Sequence, residues 1–470
     1  MAFNSYAFFA FLVVIIALYR ILPWRYGRIV LVVASYLFYS YAEPWYALLL
    51  FTSTLTDYLV GLRVHSAPND QDRKRWLWVS LGVNLGLLGV LKYSAFFIEN
   101  LNLLLPIIQW KPLNVPQWVL PVGISFYTFQ TLAYTIEIYR RNTQPERDFI
   151  TFALYVAYFP QLVAGPIERA QRLIPQLRKK HAVSGFDFMR GVQRILWGLV
   201  KKVVFADRLA VYVDTVYANP TEFGTFPTFL VLFAFMFQLY LDFSGYTDIA
   251  IGIARLMGVK LSENFRWPFA ARNTTDFWNR WNRTTTLWFT DYVFKPLGGI
   301  QRKRWLRTLF NTLVVFIATG LWHGADWNFF WFGALSGILV GYYQTMRLFV
   351  KKGGPLLGRS VWGKALAIAL HTPFSFAVGV FFRTPDVQTG LQVLGGLFRS
   401  TTVDFTPYLP FAVLIPSLFA WHIFRSWYVP QLERGKRKDP VHPVWASLFL
   451  LLFLILFGFT LPQTFIYFQF

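Results

Sequence analysis

Long apolar runs separated by short polar segments dominate the sequence. Runs such as Phe8 to Leu22 and Trp445 to Leu461 contain hardly any charged residues. A helix needs roughly 20 residues to cross the hydrocarbon core of a bilayer, and runs near this length recur along the chain. Because hydrocarbon offers backbone groups no hydrogen-bond partner, helices are the natural spanning element. The pattern predicts an all-α, polytopic membrane fold.

One apolar segment, Phe149 to Pro166, is expected not to cross the membrane. Basic clusters flank it at 139 to 147 and at 169 to 180, and the positive-inside rule puts such clusters in the cytoplasm. Its FPQLVAGP sequence contains a glycine and two prolines. Such backbone is tolerated at membrane depth only when protein shields it or when it lines a cavity. We therefore predict a re-entrant segment. The same rule places residues near Lys74 in the cytoplasm and the 99 to 117 stretch outside.

Composition agrees with a membrane protein. The 470 residues are 55% apolar and only 14% charged, whereas a soluble chain usually carries about a quarter charged residues. The net charge of +22 would suggest nucleic acid in a soluble protein. Here the basic residues lie in short clusters between apolar runs, so we predict cytoplasmic loops beside membrane lipid and no nucleic-acid binding. We find no internal repeat and no linker, so residues 1 to 470 are predicted to form a single domain.

The longest polar stretch of the chain runs from Arg255 to Arg307. Within it Phe277, Trp281 and Trp288 recur at helical spacing. This spacing predicts an amphipathic helix at the cytoplasmic interface. An aromatic belt that simply anchors the segment is the alternative interpretation.

Candidate chemistry is sparse. The chain has no cysteine, so thiol nucleophiles are excluded, and no two of its six histidines are close enough for a helical metal-binding pair. We therefore predict no metal site. His323 differs from the other histidines because it lies in Gly-Leu-Trp-His-Gly, between the apolar segments Thr308 to Trp322 and Trp327 to Leu348. An ionisable group within the membrane is costly, and imidazole can act as a general base near neutral pH. A packing role remains the alternative.

Five long blocks of the sequence combine glycine and aromatic residues with polar groups. They are Leu120 to Arg140 (LPVGISFYTFQTLAYTIEIYR), Phe159 to Pro175 (FPQLVAGPIERAQRLIP), Asp242 to Pro268 (DFSGYTDIAIGIARLMGVKLSENFRWP), Phe277 to Gly299 (FWNRWNRTTTLWFTDYVFKPLGG) and Gly320 to Gly333 (GLWHGADWNFFWFG). In sequence and in order, these blocks resemble signature blocks of the alginate O-acetyltransferase branch of the membrane-bound O-acyltransferase family. The resemblance covers nearly the whole chain.

This resemblance implies a helical fold around a central tunnel, with His323 as the catalytic histidine. It implies an acyl-CoA donor, acetyl-CoA or another acyl-CoA, on the cytoplasmic side of a bacterial inner membrane. The acceptor would be a hydroxyl of an exported polysaccharide such as alginate. An extracytoplasmic hydrolase-like acetyltransferase is the implied partner. The sequence leaves open which polymer is acylated and whether the group is acetyl or, for example, D-alanyl.

Two further site residues follow from the resemblance. The branch usually has a histidine where Asn282 stands and an arginine where Thr290 stands, so this chain departs from the pattern twice in one block. An amide at Asn282 can still stabilise an oxyanion. The ending Phe465-Ile-Tyr-Phe-Gln-Phe470 resembles the F-x-Y-F-x-F ending of related acyl-transfer systems, in which the tyrosine is proposed to carry the acyl group. Tyr467 is the matching residue, and an aromatic belt that anchors the last helix is the alternative.

The rival class is a non-enzymatic transporter or flippase. In such a protein the buried polar groups Asp242, Asp248 and His323 would bind substrate rather than transform it. Transporters often show inverted repeats and discontinuous helices in matched halves. No such symmetry is visible in this sequence.

Overall fold

The computed structural model describes residues 1, 3–301, 303–349, 360–400, 404–433, 441–458, 465 and 466. Over these residues the protein is helical and contains no strand. The chain forms two compact units, one of Met1–Gly198 with Tyr246–Ser262 and the other of Leu199–Gly245 with Glu263–Phe470. The all-α prediction is confirmed.

The first unit is built from the N-terminal helices. Its helices are α1 (Tyr6–Ile21), α2 (Trp24–Ser40), α3 (Tyr46–Ser66), α4 (Asp70–Leu88), α5 (Ser94–Leu104), α6 (Ile124–Tyr139), α7 (Phe149–Ala157), α8 (Ala170–Leu177) and α9 (Gly185–Leu199). A π-helical turn, Gly89–Tyr93, and a 3₁₀ turn, Leu105–Ile108, adjoin α5 on either side.

The second unit opens with a π-helical turn, Val200–Ala206. Its helices are α10 (Asp207–Ala218), α11 (Thr225–Leu256), α12 (Thr274–Trp278), α13 (Arg283–Phe289), α14 (Trp305–His323), α15 (Trp327–Phe349), α16 (Val361–Arg383), α17 (Val387–Gly395), α18 (Leu409–Glu433) and α19 (Pro443–Phe457). The last turns of α11, from Tyr246 onward, belong to the first unit. A second π-helical turn, Thr290–Phe294, follows α13, and short 3₁₀ turns lie at Pro268–Ala270, Gly396–Phe398 and Thr406–Tyr408.

Six helical stretches within the described ranges are long and apolar enough to cross a membrane. They are Tyr46–Ser66, Asp70–Ile108, Thr225–Leu256, Trp305–His323, Trp362–Arg383 and Thr406–Leu432. The apolar helices α1 and α19 are shorter, and both expose large apolar side chains, for example Val13 at 68% and Ile455 at 72%. Such outward-facing apolar surface suits a lipid environment. The prediction of a polytopic membrane protein is confirmed.

The segment from Phe149 to Pro166 does not form one membrane-length helix, and its re-entrant placement stays a prediction. Helix α7 has only nine residues and then gives way to turns. The chain is buried here, with Tyr158 and Phe159 at 0% exposure. Side chains satisfy part of its irregular backbone, since Gln130 Nε2 donates to Tyr155 O at 2.5 Å and Ser35 Oγ accepts from Phe159 N at 3.1 Å. These side chains supply hydrogen bonds to backbone groups that would find no partner in lipid.

Helices α14 and α15 pack closely through glycines of the GLWHG block and the following helix. A Cβ atom on Gly320 would lie 2.2 Å from the carbonyl oxygen of Phe329, and one on Gly333 would lie 2.4 Å from the carbonyl oxygen of Phe316. Small residues let helix backbones approach in this way within a membrane. The contact fixes the end of α14, where His323 lies.

Candidate active site

His323 is the last residue of α14 and is buried within the second unit. It is 7% exposed. Aromatic rings surround the imidazole, with ring-centroid distances of 4.6 Å to Trp322 and 5.0 Å to Phe382. The next residue, Gly324, contributes to this packing because a Cβ atom there would lie 2.0 Å from the Phe329 ring. The glycines of the GLWHG block therefore allow the end of α14 to pack closely against α15, and His323 lies there among aromatic side chains.

Two cavities of the second unit are both lined by this histidine. The smaller cavity, of about 40 Å³, is mainly apolar and is lined by His323 together with Met236, Leu239 and Phe382. The larger cavity, of about 240 Å³, is lined by His323 and by Asn282. A buried base that lines two cavities can act on a substrate group reaching it from either side. The central tunnel implied by the family resemblance stays a prediction.

The larger cavity is uncharged, and its wall combines apolar surface with many polar side chains. Hydroxyl and amide side chains contribute much of its wall, and no Asp, Glu, Lys or Arg is among the described residues that line it. The polar residues are Thr275, Asn279, Asn282, Thr285, Thr286, Thr290, Thr312, Thr319, Gln344 and His323. Such a wall can hydrogen-bond a neutral polar chain without the cost of burying charge.

Asn282 lies between two short helices rather than within one long helix. Its φ of 37° is left-handed, a conformation in which asparagine is enriched among non-glycine residues. The side chain is buried, and its Oδ1 accepts a hydrogen bond from Thr285 Oγ1 at 3.0 Å. Because the oxygen has this partner, the amide nitrogen is the group suited to donate toward a ligand in the cavity.

The prediction of one amphipathic interfacial helix across this block is wrong. Helix α12 ends at Trp278 and α13 begins at Arg283. The aromatic residues Phe277, Trp281 and Trp288 are buried at 7%, 5% and 7% exposure. The left-handed residue between the helices breaks the periodicity, so the aromatic side chains pack inside the protein instead of forming a surface stripe.

Both positions at which the chain departs from the branch pattern line the larger cavity. Asn282 and Thr290 are members of its wall, and Thr290 Oγ1 donates to Thr286 O at 2.7 Å. The departures therefore change the chemistry of one cavity, replacing two residues that can be cationic with neutral ones. The roles of His323 and Asn282 in catalysis stay predictions.

Tyr467 lies outside the described residues, whereas the two residues before it are among them. Phe465 and Ile466 are buried in the second unit at 1% and 4% exposure. The backbone N–H of Ile466 donates to Asp242 Oδ2 at 2.8 Å. The carboxylates considered for the transporter alternative are in ion pairs, Asp242 with Lys202 and, in the first unit, Asp248 with Arg194.

Sequence reasoning missed most of the cavity wall. Thr312, Thr319 and His323 follow one another at intervals of seven and four residues along α14, a spacing that puts them on one face of a helix. That signal was available in the sequence. The contributions of Asn279 and Gln344 depend on how separate helices pack, which periodicity does not report. Within the described ranges, no three His, Cys, Asp or Glu side chains come together as a metal site.

A helical membrane fold with a buried histidine that lines two cavities defines a membrane protein with an internal site suited to proton transfer. Residues 139–354 match the family model described as MBOAT, membrane-bound O-acyltransferase family. The chain is 37% identical over 353 residues to the probable alginate O-acetylase of Pseudomonas putida, covering 74% of this chain and 72% of that one. The chain therefore belongs to the membrane-bound O-acyltransferase family, and it is an O-acyltransferase.

Other relatives differ in the acceptors that their names give. The peptidoglycan O-acetyltransferase of Helicobacter pylori is 33% identical over 78% of this chain and 73% of its own length. The teichoic acid D-alanyltransferase of Bacillus subtilis is 26% identical over 54% of this chain and 66% of its own. The predicted family and enzyme class are confirmed, and the non-enzymatic transporter is not supported.

Proposed function

We propose that this enzyme moves an acetyl group from cytoplasmic acetyl-CoA across a bacterial inner membrane toward hydroxyls of an exported polysaccharide. The observation that carries the proposal is His323, a buried imidazole that lines both cavities of the second unit. The names of the alginate and peptidoglycan relatives support acetyl as the group and a polysaccharide as the acceptor. The lower identity to the D-alanyl-transferring relative favours acetyl over D-alanyl.

The larger cavity is suited to the thioester end of the donor. Its wall includes Ile300, which is 57% exposed, so the cavity reaches the protein surface there. Exposed cations lie close by in the sequence, at Lys295, Lys303 and Arg304. The phosphates of CoA would bind these cations, while the neutral amide-rich pantetheine arm would follow the hydroxyl and amide groups of the wall toward His323.

In this mechanism His323 acts as the general base. It takes the proton of an attacking hydroxyl as the oxygen bonds to the thioester carbonyl carbon. The amide nitrogen of Asn282 donates to the carbonyl oxygen as negative charge develops on it. When the carbon–sulfur bond breaks, the imidazolium returns the proton to the leaving thiolate. The products are the acyl ester and free CoA.

We propose that the first attacking hydroxyl is the phenol of Tyr467. The resulting aryl ester would carry the acyl group to the extracytoplasmic side, where a hydrolase-like partner would transfer it to a polymer hydroxyl and regenerate the phenol. The burial of Phe465 and Ile466 supports this step, because it brings the C-terminal segment back into the second unit. CoA would then never need to leave the cytoplasm.

Both compact units are proposed to form the single domain expected from the sequence. The family model begins at residue 139, in the first unit, and ends at residue 354, so it includes residues of both units. Neither unit would then be an independent enzyme.

The test uses purified full-length protein in nanodiscs with acetyl-CoA labelled in its acetyl group. Wild-type protein should release CoA and carry one labelled acetyl group on its C-terminal peptide when no partner is present. Tyr467→Phe should release CoA only slowly and carry no label there. An intact thioester with wild-type protein would refute acetyl-CoA as donor. Cleaved thioester without label on the peptide would refute the tyrosine carrier alone.

A further inference from the structure

A buried ion cluster in the second unit joins three charged residues that the mechanism above does not use. Lys202 lies in the π-helical turn Val200–Ala206, and its Nζ is 2.8 Å from Asp207 Oδ1 and 2.6 Å from Asp242 Oδ1. The three side chains are between 1% and 4% exposed. Burying an ammonium and two carboxylates is costly unless each group is paired and hydrogen-bonded.

The C-terminal segment contacts two members of this cluster. Asp242 Oδ2 accepts the backbone N–H of Ile466 at 2.8 Å. The Lys202 ammonium lies 4.7 Å from the centre of the Phe465 ring, within the range of a cation–π interaction. Ile466 therefore donates a hydrogen bond to the carboxylate of Asp242, and the ring of its neighbour Phe465 faces the ammonium of Lys202.

The hydrogen bonding of the cluster explains why the segment binds here. Asp207 and Asp242 share one ammonium, that of Lys202, through one oxygen each. The backbone N–H of Ile466 donates to the second oxygen of Asp242, in a site with little access to water. A backbone hydrogen bond also fixes the register of the segment, whereas the apolar burial of Phe465 alone would tolerate a shift along the chain.

A residue close to Lys202 in the sequence also binds the end of α19, the helix that precedes the C-terminal segment. Arg208, next to Asp207, donates through Nη2 to the carbonyl oxygen of Phe457 at 2.7 Å, at the end of α19. The described residues Phe457 and Ile466 are therefore held by Arg208 and by Asp242 respectively.

The docking position shares helix α11 and a buried apolar cluster with the wall of the smaller cavity. Asp242 lies three residues after Leu239 on α11, which places the two side chains on one face about 4.5 Å apart along the axis. Leu239 lines the smaller cavity together with His323. Ile466 belongs to the same buried apolar cluster as Phe277 and Trp281, which also line that cavity.

We propose that Lys202 and Asp242 form a docking site for the C-terminal segment and position the residue after Ile466 for acyl transfer. The transfer part rests on the proposed function, whereas the docking part does not. Lys202 and Asp242 are positioning residues in this proposal, because they contact the segment and not the reacting atoms.

The docking test measures access to a single cysteine. The chain has no cysteine of its own, so Ile466→Cys introduces one thiol while keeping the backbone N–H. In this background, Asp242→Ala should raise the rate of reaction with N-ethylmaleimide at least tenfold. Asp207→Ala is the matched control: it also removes one carboxylate from Lys202 but touches no described residue of the segment, so the thiol should stay slow. An equally slow thiol in both variants would overturn the docking site.

A second variant keeps the test decisive if Asp242→Ala does not fold. Phe465→Leu removes the ring that faces Lys202 but leaves all three charged residues of the cluster in place. It too should make the thiol at position 466 react faster. An unchanged rate would count against docking. For the transfer part, Asp242→Ala should lower acyl label on the C-terminal peptide at least tenfold in a single turnover while water-driven thioester cleavage continues. If Asp242→Ala exposes the thiol at 466 but the C-terminal peptide is still labelled at the wild-type rate, the positioning role is overturned. If the wild-type protein itself carries no label, only the tyrosine carrier is overturned.

Discussion

Replacing His323 with glutamine tests the central assignment with little change in packing. Glutamine is close to histidine in size and stays uncharged, but it cannot take up a proton near neutral pH. His323 packs against the rings of Trp322 and Phe382, at 4.6 and 5.0 Å. Losing such contacts costs roughly 1 kcal/mol of stability, which is small beside the 5 to 15 kcal/mol typical of a folded domain. The variant should therefore remain folded in the membrane.

The loss of catalysis should be far larger than the loss of stability. A positioned general base accelerates a reaction by about 100-fold to 10,000-fold. At roughly 1.4 kcal/mol per tenfold, this corresponds to about 3 to 5.5 kcal/mol of activation free energy. His323→Gln should therefore release CoA from acetyl-CoA at least about 100 times more slowly than wild-type protein, at equal membrane abundance.

His422 offers a matched control because it is also a buried histidine of the second unit. It is 2% exposed, its Nε2 accepts from the backbone N–H of Phe269 at 3.2 Å, and it is not among the residues that line the two cavities. His422→Gln should keep turnover within a few-fold of wild type, since glutamine can also accept that hydrogen bond. Near-normal turnover in a folded His323→Gln variant would refute the mechanism. Equal losses in both variants would show that the effect is structural.

Three further outcomes follow from the geometry. Asn282→Gly accommodates the left-handed backbone but removes the amide, so turnover should fall by roughly 100-fold to 1,000-fold, as for other oxyanion donors, whereas unchanged turnover would leave Asn282 only a conformational role. Gly320→Ala should lower the melting temperature by several degrees, because the added methyl group would lie 2.2 Å from the carbonyl oxygen of Phe329. Gly82→Ala is the control, since nothing lies within 4 Å of a Cβ atom there. Equal melting curves for the two variants would contradict the close helix contact. Single cysteines at Lys74 and Lys111 should be labelled from the cytoplasmic and the outer side respectively, and the reverse result would overturn the predicted topology.

Local sequence patterns predicted the elements that depend on neighbours in the chain. The apolar segments on either side of His323 became α14 and α15, and the segment from Phe149 to Pro166 became a short helix followed by turns. Both results follow from properties written in one stretch of sequence, namely hydrophobic length and the distribution of glycine and proline. The histidine could be found for the same reason, because it lies at a helix boundary inside an apolar region.

Features that depend on distant residues could not be predicted in this way. The helix break at Asn282 requires a positive φ that periodicity does not reveal, so the segment looked like one amphipathic helix. The ion cluster joins Lys202, Asp242 and the C-terminal segment, which are separated by 40 residues and then by 224. A single sequence contains no signal that pairs such positions, and only the packed fold brings them together.

The division of the first unit has a consequence for how the protein is made. Its residues up to Gly198 are synthesised well before Tyr246–Ser262, which completes it. Until then, Tyr19 lacks the Met257 carbonyl oxygen to which its hydroxyl donates at 2.8 Å, and Arg194 lacks the Asp248 carboxylate at 2.8 Å. The nascent chain must therefore hold an unfinished helix assembly in the membrane while the ribosome adds the intervening residues. Membrane chaperones and quality-control proteases would meet the protein in that interval, and substitutions at these contacts should reduce yield during biosynthesis more than they reduce the activity of molecules that have matured.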